Sequence, residues 1–173
     1  MRFKNKITQK MKGQRDNNIS LRFKTNETDG LLLWESAGFS LTADYLVLAI
    51  SAGRLKFGYN LGKQKSIDQA TSRSYVADGE WHLVRIERNE RQGNMFVDHD
   101  SSVSFLSSRG ATELNTDGYL WIGGSPRLPG RLPSSHYVGF RGCIADIVID
   151  RRGLDLVRYN EYSMIRPLEF CHR

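Results

Sequence analysis

Residues 44 to 61, Asp-Tyr-Leu-Val-Leu-Ala-Ile-Ser-Ala-Gly-Arg-Leu-Lys-Phe-Gly-Tyr-Asn-Leu, leave little choice of secondary structure. Tyr45, Val47 and Ala49 alternate with Leu46, Leu48 and Ile50. After Ser51-Ala52-Gly53, Leu55, Phe57 and Tyr59 alternate with Arg54, Lys56 and Gly58. A period of two on both sides of a short turn predicts a β-hairpin, whose open end brings Asp44 and Leu61 together. A carboxylate beside a strand-end carbonyl is a place where a hard cation finds oxygen ligands.

The same grammar runs through the chain. Ile19 to Lys24 and Leu31 to Glu35 flank the turn residues Thr25 to Gly30 and read as a second hairpin. Trp81 to Arg88, opened by Asp78-Gly79, puts Val84 and Ile86 on its inner face; Met95 to Val97 and Val103 to Phe105 follow as strands. A weaker strand is expected near Ile67, and Tyr119 to Ile122 is short and buried. Ser125 to Tyr137 holds Pro126, Pro129 and Pro133, which exclude a central strand. From Phe140 to Asp150 alternation resumes, with Cys143, Ala145, Ile147 and Ile149 expected on one face, and Asp155 to Ile165 has room for a helical turn. Many short strands with regular turn signals and no long amphipathic helix define an all-β, antiparallel two-sheet jelly-roll sandwich.

At 173 residues one core suffices. Hydrophobic residues at 39% exclude a disordered chain, and no apolar run reaches the length of a membrane helix, so membrane insertion is not expected. The net charge of +6 favours polyanionic partners. Much of it lies in residues 1–18, read as a basic lead-in arm or first edge strand ahead of a domain spanning 19–173. Cys143 and Cys171 are the only cysteines. Paired, they tether the C-terminal end to a strand and imply an oxidising compartment; two free thiols in a reducing one are the alternative. Acceptor sequons at Asn18 and Asn26 point to secretion.

Four pieces in order carry a specific resemblance: Gly30-Leu-Leu-Leu-Trp34, Asp78-Gly-Glu-Trp-His82, Leu120-Trp-Ile-Gly-Gly124, and Phe140-Arg-Gly-Cys143 with a closing Cys171. Together they resemble a laminin G-like (LNS) domain, most of all the perlecan, agrin and laminin α-chain modules, with neurexin domains a more distant likeness. The resemblance implies a calcium ion (Ca2+) on one rim, held by two side chains and two backbone carbonyls. Asp44 matches the first side-chain ligand and Leu61 the paired carbonyl. Asn115 falls on the second side-chain position, often Asp in the family, and Glu113 on the second carbonyl. Asn at that position removes one formal charge and implies modest affinity. The family pattern also pairs Cys143 with Cys171 as a disulfide. Lys63, Lys65, Arg109, Arg127 and Arg131 lie in loops that the resemblance sets around the ion, where arginine forks suit sulfate or uronate groups.

Other chemistries fare worse. Asp98 and Asp100 share a face in a strand while His99 points away, so Asp98-His-Asp100 reads as a solvated hairpin corner. No serine or cysteine motif completes a triad around His82. Glu87 and Glu90 are the nearest glycosidase pair, but residues three apart in a strand face opposite ways. The basic residues lack an ordered aromatic platform for nucleic acid. The expectation is a non-enzymatic, secreted extracellular-matrix module, part of a larger protein. It binds acidic or sulfated glycans (heparan sulfate, dystroglycan-type chains) or a glycosylated cell-surface receptor with calcium at the rim. Calcium-independent heparan sulfate binding or a protein-protein interface is the alternative.

Overall fold

A computed structural model describes residues 1–4, 13–62, 69–158 and 171. Its strands are β1 (Arg2–Lys4), β2 (Asp16–Lys24), β3 (Gly30–Ser36), β4 (Tyr45–Ser51), β5 (Arg54–Asn60) and β6 (Ala70–Thr71) in the first half. The second half adds β7 (Trp81–Asn89), β8 (Gln92–Val97), β9 (Val103–Leu106), β10 (Tyr119–Ile122), β11 (Cys143–Ile149) and β12 (Arg152–Gly153). Among the described residues they form two antiparallel six-stranded sheets, β1-β10-β3-β4-β5-β6 and β12-β11-β2-β7-β8-β9. The hairpin expected from Ile19 to Glu35 does not form: the turn at Thr25 to Asp29 carries the chain from one sheet to the other, so β2 pairs with β7 and β11 while β3 pairs with β4 and β10. The strand expected near Ile67 lies outside the described residues, as does most of the stretch expected to hold a helical turn.

The β4–β5 hairpin closes through Ala52 and Gly53, both at positive φ (50° and 73°), the two-residue turn that matches strand twist. Gly53 is required there, because a Cβ would fall 1.9 Å from the Tyr75 ring. Leu46, Leu48, Ile50, Leu55, Phe57 and Tyr59 face the other sheet and meet Leu21, Phe23, Val84, Ile86 and Met95 in one core. The opposite face of β4 is buried too. Tyr45, Val47 and Ala49 pack with Trp34 under Leu132 and Leu128 of the proline loop, which explains why both faces of this strand are apolar. Ser134–Tyr137 of that loop forms a 3-10 turn.

Two strands depart from simple alternation. In β11 the register shifts between Ala145 and Val148, with Asp146 at φ 51°. Cys143 and Ala145 therefore pair beside Lys24 and Arg22 on the outer face, while Ile144, Ile147 and Ile149 turn inward, so the expected single face from Cys143 to Ile149 is broken by this bulge. In β7 the inner face extends beyond Val84 and Ile86 to His82 and Arg88, both buried. The outer face of β3 and β4 is covered by the proline loop, whereas β2 and β7 of the second sheet show alternating buried and exposed residues.

Candidate functional site

Register builds the rim. Tyr45 pairs with Asn60, so one further step sets Asp44 opposite Leu61. The Asp44 carbonyl accepts the Ala37 N–H at 2.8 Å, closing the loop that precedes it. Asn60 fastens this loop to the hairpin by donating Nδ2–H to the Leu41 carbonyl at 2.7 Å, and its Oδ1 accepts the Gly62 N–H at 2.8 Å. Gly62 has φ 80°, and a Cβ there would lie 2.8 Å from Asp44 Oδ1. Only glycine at this position leaves the carboxylate its place.

The segment from Glu113 to Asn115 comes from far along the chain. Asn115 donates to Asp44 Oδ2 through its backbone N–H at 2.7 Å and through Nδ2–H at 3.2 Å. Leu114 and Gln14 exchange two backbone hydrogen bonds, Leu114 N–H to Gln14 O at 2.9 Å and Gln14 N–H to Leu114 O at 3.1 Å. In a planar trans peptide, the Leu114 N–H pointing at Gln14 turns the Glu113 carbonyl away, to the side where Asn115 meets Asp44. The rim thus gathers Asp44, Leu61, Glu113 and Asn115. As a test of fit to a hard cation, the Asp44 carboxylate and the Glu113 and Leu61 backbone supply oxygen, whereas Asn115 offers Asp44 its amide nitrogen, with Oδ1 accepting the Gly13 N–H at 2.9 Å.

Beneath the rim lies a polar network that sequence reasoning missed. Arg88, 2% exposed, donates to Asn17 Oδ1 (2.8 Å) and to the carbonyls of Gln14 (2.6 Å), Glu90 (2.7 Å) and Thr112 (3.4 Å). Its guanidinium sits 5.7 Å from the Tyr59 ring centroid, and burial pushes its pKa down. Buried Glu35 accepts from Thr116 Oγ1 at 2.6 Å and Gln14 Nε2 at 3.4 Å. Residues 13–15 thereby form a strap across 113–115, with Arg15 Nε 3.3 Å from Glu113 Oε1. The available signal was period two: an arginine on the inward parity of β7 needs buried acceptors.

The basic residues divide. Lys63 and Lys65 lie outside the described residues. Arg109 follows β9, which leaves the sandwich at the end shared by Gln92, Asn89 and Asp16, on the rim side. Arg127 stacks 5.6 Å over the ring of Phe39, an exposed residue of the loop leading to Asp44. Arg131 is exposed on the proline loop with φ 70°.

The remaining motifs have structural employment. His82 Nδ1 is 2.7 Å from Asp98 Oδ2 and its Nε2 is 3.0 Å from Asp78 Oδ1. Burial opposes its charge, but the bonds to the two carboxylates prevail and its pKa is raised. Asp98 also accepts the Leu83 N–H while Asp100 accepts from Ser74, so the two carboxylates diverge rather than converge on His99. Glu87 faces outward and Glu90 lies in the turn after β7, 3.8 Å from Arg15. Cys143 and Cys171 form a disulfide with Cα atoms 5.9 Å apart. Asn18 is exposed on β2 and Asn26 is exposed in the turn after it. No described helix is long and apolar enough to cross a membrane.

Comparison with known proteins agrees with this architecture. A laminin G domain family model matches residues 23–152. The basement membrane proteoglycan of Caenorhabditis elegans is 34% identical over 149 residues, covering 83% of this chain and 4% of the relative. Pikachurin of Rattus norvegicus is 31% identical over 144 residues, covering 83% of this chain and 14% of the relative. The chain therefore spans a small part of the length of these relatives. Domains LG4-5 of the mouse laminin alpha1 chain superpose with a TM-score of 0.80 at 25% identity, covering 95% of this chain and 42% of that one. The chain belongs to the laminin G domain family and is a non-enzymatic binding module.

Proposed function

We propose that this domain binds acidic glycans, or a cell-surface receptor that carries them, at the rim formed by Asp44, Leu61, Glu113 and Asn115, with calcium joining ligand to protein. The observation that carries the reading is the meeting of Asp44 with the 113–115 segment; the loop leading to Asp44 carries Phe39, against which Arg127 packs. Asp44 and the carbonyls of Leu61 and Glu113 would hold the ion. The ion supplies open positions for the oxygens of a sugar carboxylate or hydroxyl. Arg127, whose guanidinium lies 5.6 Å from the Phe39 ring centroid, would fork onto a carboxylate or sulfate of the ligand. The disulfide and the matrix relatives support a secreted, extracellular setting within a larger protein, where Asn18 and Asn26 would receive glycans.

The test is an array of acidic glycans run with calcium and with chelator. Calcium-dependent binding that disappears in an Asp44→Ala protein is expected; Asp44→Ala binding calcium as tightly as the parent overturns the metal assignment. The +6 charge favours a second reading, calcium-independent capture of heparan sulfate. That mode survives chelator and weakens steeply with salt.

A further inference from the structure

The orientation of the Asn115 amide is dictated by its neighbours. Nδ2 faces the Asp44 carboxylate at 3.2 Å, and Oδ1 faces the Gly13 N–H at 2.9 Å. Reversed, the amide would set Nδ2 against an N–H donor and Oδ1 against a carboxylate, replacing two hydrogen bonds by two repulsions. Gly13 is poorly placed to yield, because the residue after it is fastened on every side. Gln14 exchanges two backbone bonds with Leu114, and its carbonyl also accepts from Arg88 Nη2 at 2.6 Å. Its buried side chain donates to Glu35 and Thr116 and accepts from Asn17 Nδ2 at 2.6 Å. Arg15 then holds Glu113.

We propose that Asn115, locked by the Gly13 N–H, serves as an internal stand-in for a cation at Asp44, so that the strap Gly13–Arg15 sets how weakly this rim takes calcium. The proposal rests on the reading of the rim as a cation site. Asn115 meets Asp44 with two N–H groups, the backbone one and Nδ2–H, which satisfy Oδ2 as a metal would. Ligation through Asn115 Oδ1 requires the amide to turn and the Gly13 bond to be given up. An aspartate at 115 has no donor, so one oxygen keeps the Gly13 N–H while the other faces the ion. The strap is thus an affinity device of this chain, separate from the donor atoms themselves.

Calorimetric calcium titration of the whole chain tests this on the parent, Asn115→Asp, Gln14→Ala and Asp44→Ala. Expected are millimolar binding by the parent and binding tighter by roughly tenfold or more in Asn115→Asp. Gln14→Ala is the discriminating variant. It changes no charge and slackens the strap, so it tightens calcium severalfold while lowering the melting temperature; a Gln14 that merely supports the site would weaken calcium instead. In 15N NMR of the parent, saturating calcium shifts the Asn115 side-chain amide and the Gly13 backbone amide together. Micromolar binding by the parent that Asp44→Ala abolishes overturns the lock and leaves the cation site standing, as does a Gln14→Ala protein with unchanged or weaker affinity. Absence of calcium binding in both parent and Asn115→Asp overturns the cation reading and the proposal with it.

Discussion

Arg88 Nη2 lies 2.6 Å from the Gln14 carbonyl oxygen, so a buried guanidinium on β7 holds a strap that precedes β2 and, through it, a segment about a hundred residues further on. The sandwich therefore ties its candidate rim from inside. Replacing Arg88 by methionine keeps much of the volume but strands Asn17 Oδ1 without its guanidinium donor and leaves the Gln14 carbonyl only the Leu114 N–H. A loss of about 2–3 kcal/mol is expected in urea unfolding, the scale of leaving a buried acceptor without its donor. A loss below about 1 kcal/mol would show that water replaces the guanidinium.

Gly62 makes a sharper local prediction. Gly62→Ala must hold a left-handed backbone and place a Cβ against Asp44 Oδ1. The backbone cost is about 1–2 kcal/mol, and the carboxylate has to move. Thermal unfolding should show the cost, and the NMR shifts of Asp44 and Asn115 should move while those of the distant turn at Asn26 stay in place.

His82 links stability to pH. Its pKa is raised in the folded protein, so the protonated form is favoured by folding. The contribution is full below the ordinary value of 6.5 and is lost as pH rises through the raised folded value. Melting temperature should therefore fall over that window above 6.5, and His82→Gln should flatten this part of the profile. A His82 ring resonance titrating below 6.5 would contradict the assignment.

The disulfide closes a 28-residue separation. On chain entropy alone its removal costs about 3.5 kcal/mol. A Cys143→Ser, Cys171→Ser double variant should retain β-sheet circular dichroism and lose stability of that order in guanidinium; a loss under about 1 kcal/mol would show that the C-terminal end adds little restraint.

Much of the fold was legible in residues near one another in the chain. The hairpin of β4 and β5, the turns at Gly53 and Gly79 and the exclusion of a strand from the proline loop all follow from alternation and turn chemistry. The bulge at Asp146 was not legible, because Cys143, Ala145, Ile147 and Ile149 keep a perfect period of two while the backbone inserts a residue. The partners of His82 and Arg88 were not legible for a related reason. Their parity placed them inward, but a polar residue on an inward position is informative only when its partners are known, and those partners are Asp98, Asp78, Asn17 and Gln14.

The candidate site divides in the same way. Alternation and the turn at Gly53 were enough to bring Asp44 beside Leu61, since both lie within one hairpin whose register is local. Motif order was enough to suggest the 113–115 segment. What only the tertiary structure decided is how that segment presents itself: a strap 102 residues away offers its Gly13 N–H to Asn115 Oδ1, and the amide nitrogen is thereby turned toward Asp44. Strand periodicity specifies which face a side chain takes, because the pleat repeats every two residues. It carries nothing about which donor a distant loop will offer, because that depends on sheet order and on hydrogen bonds between segments that meet only in the folded chain.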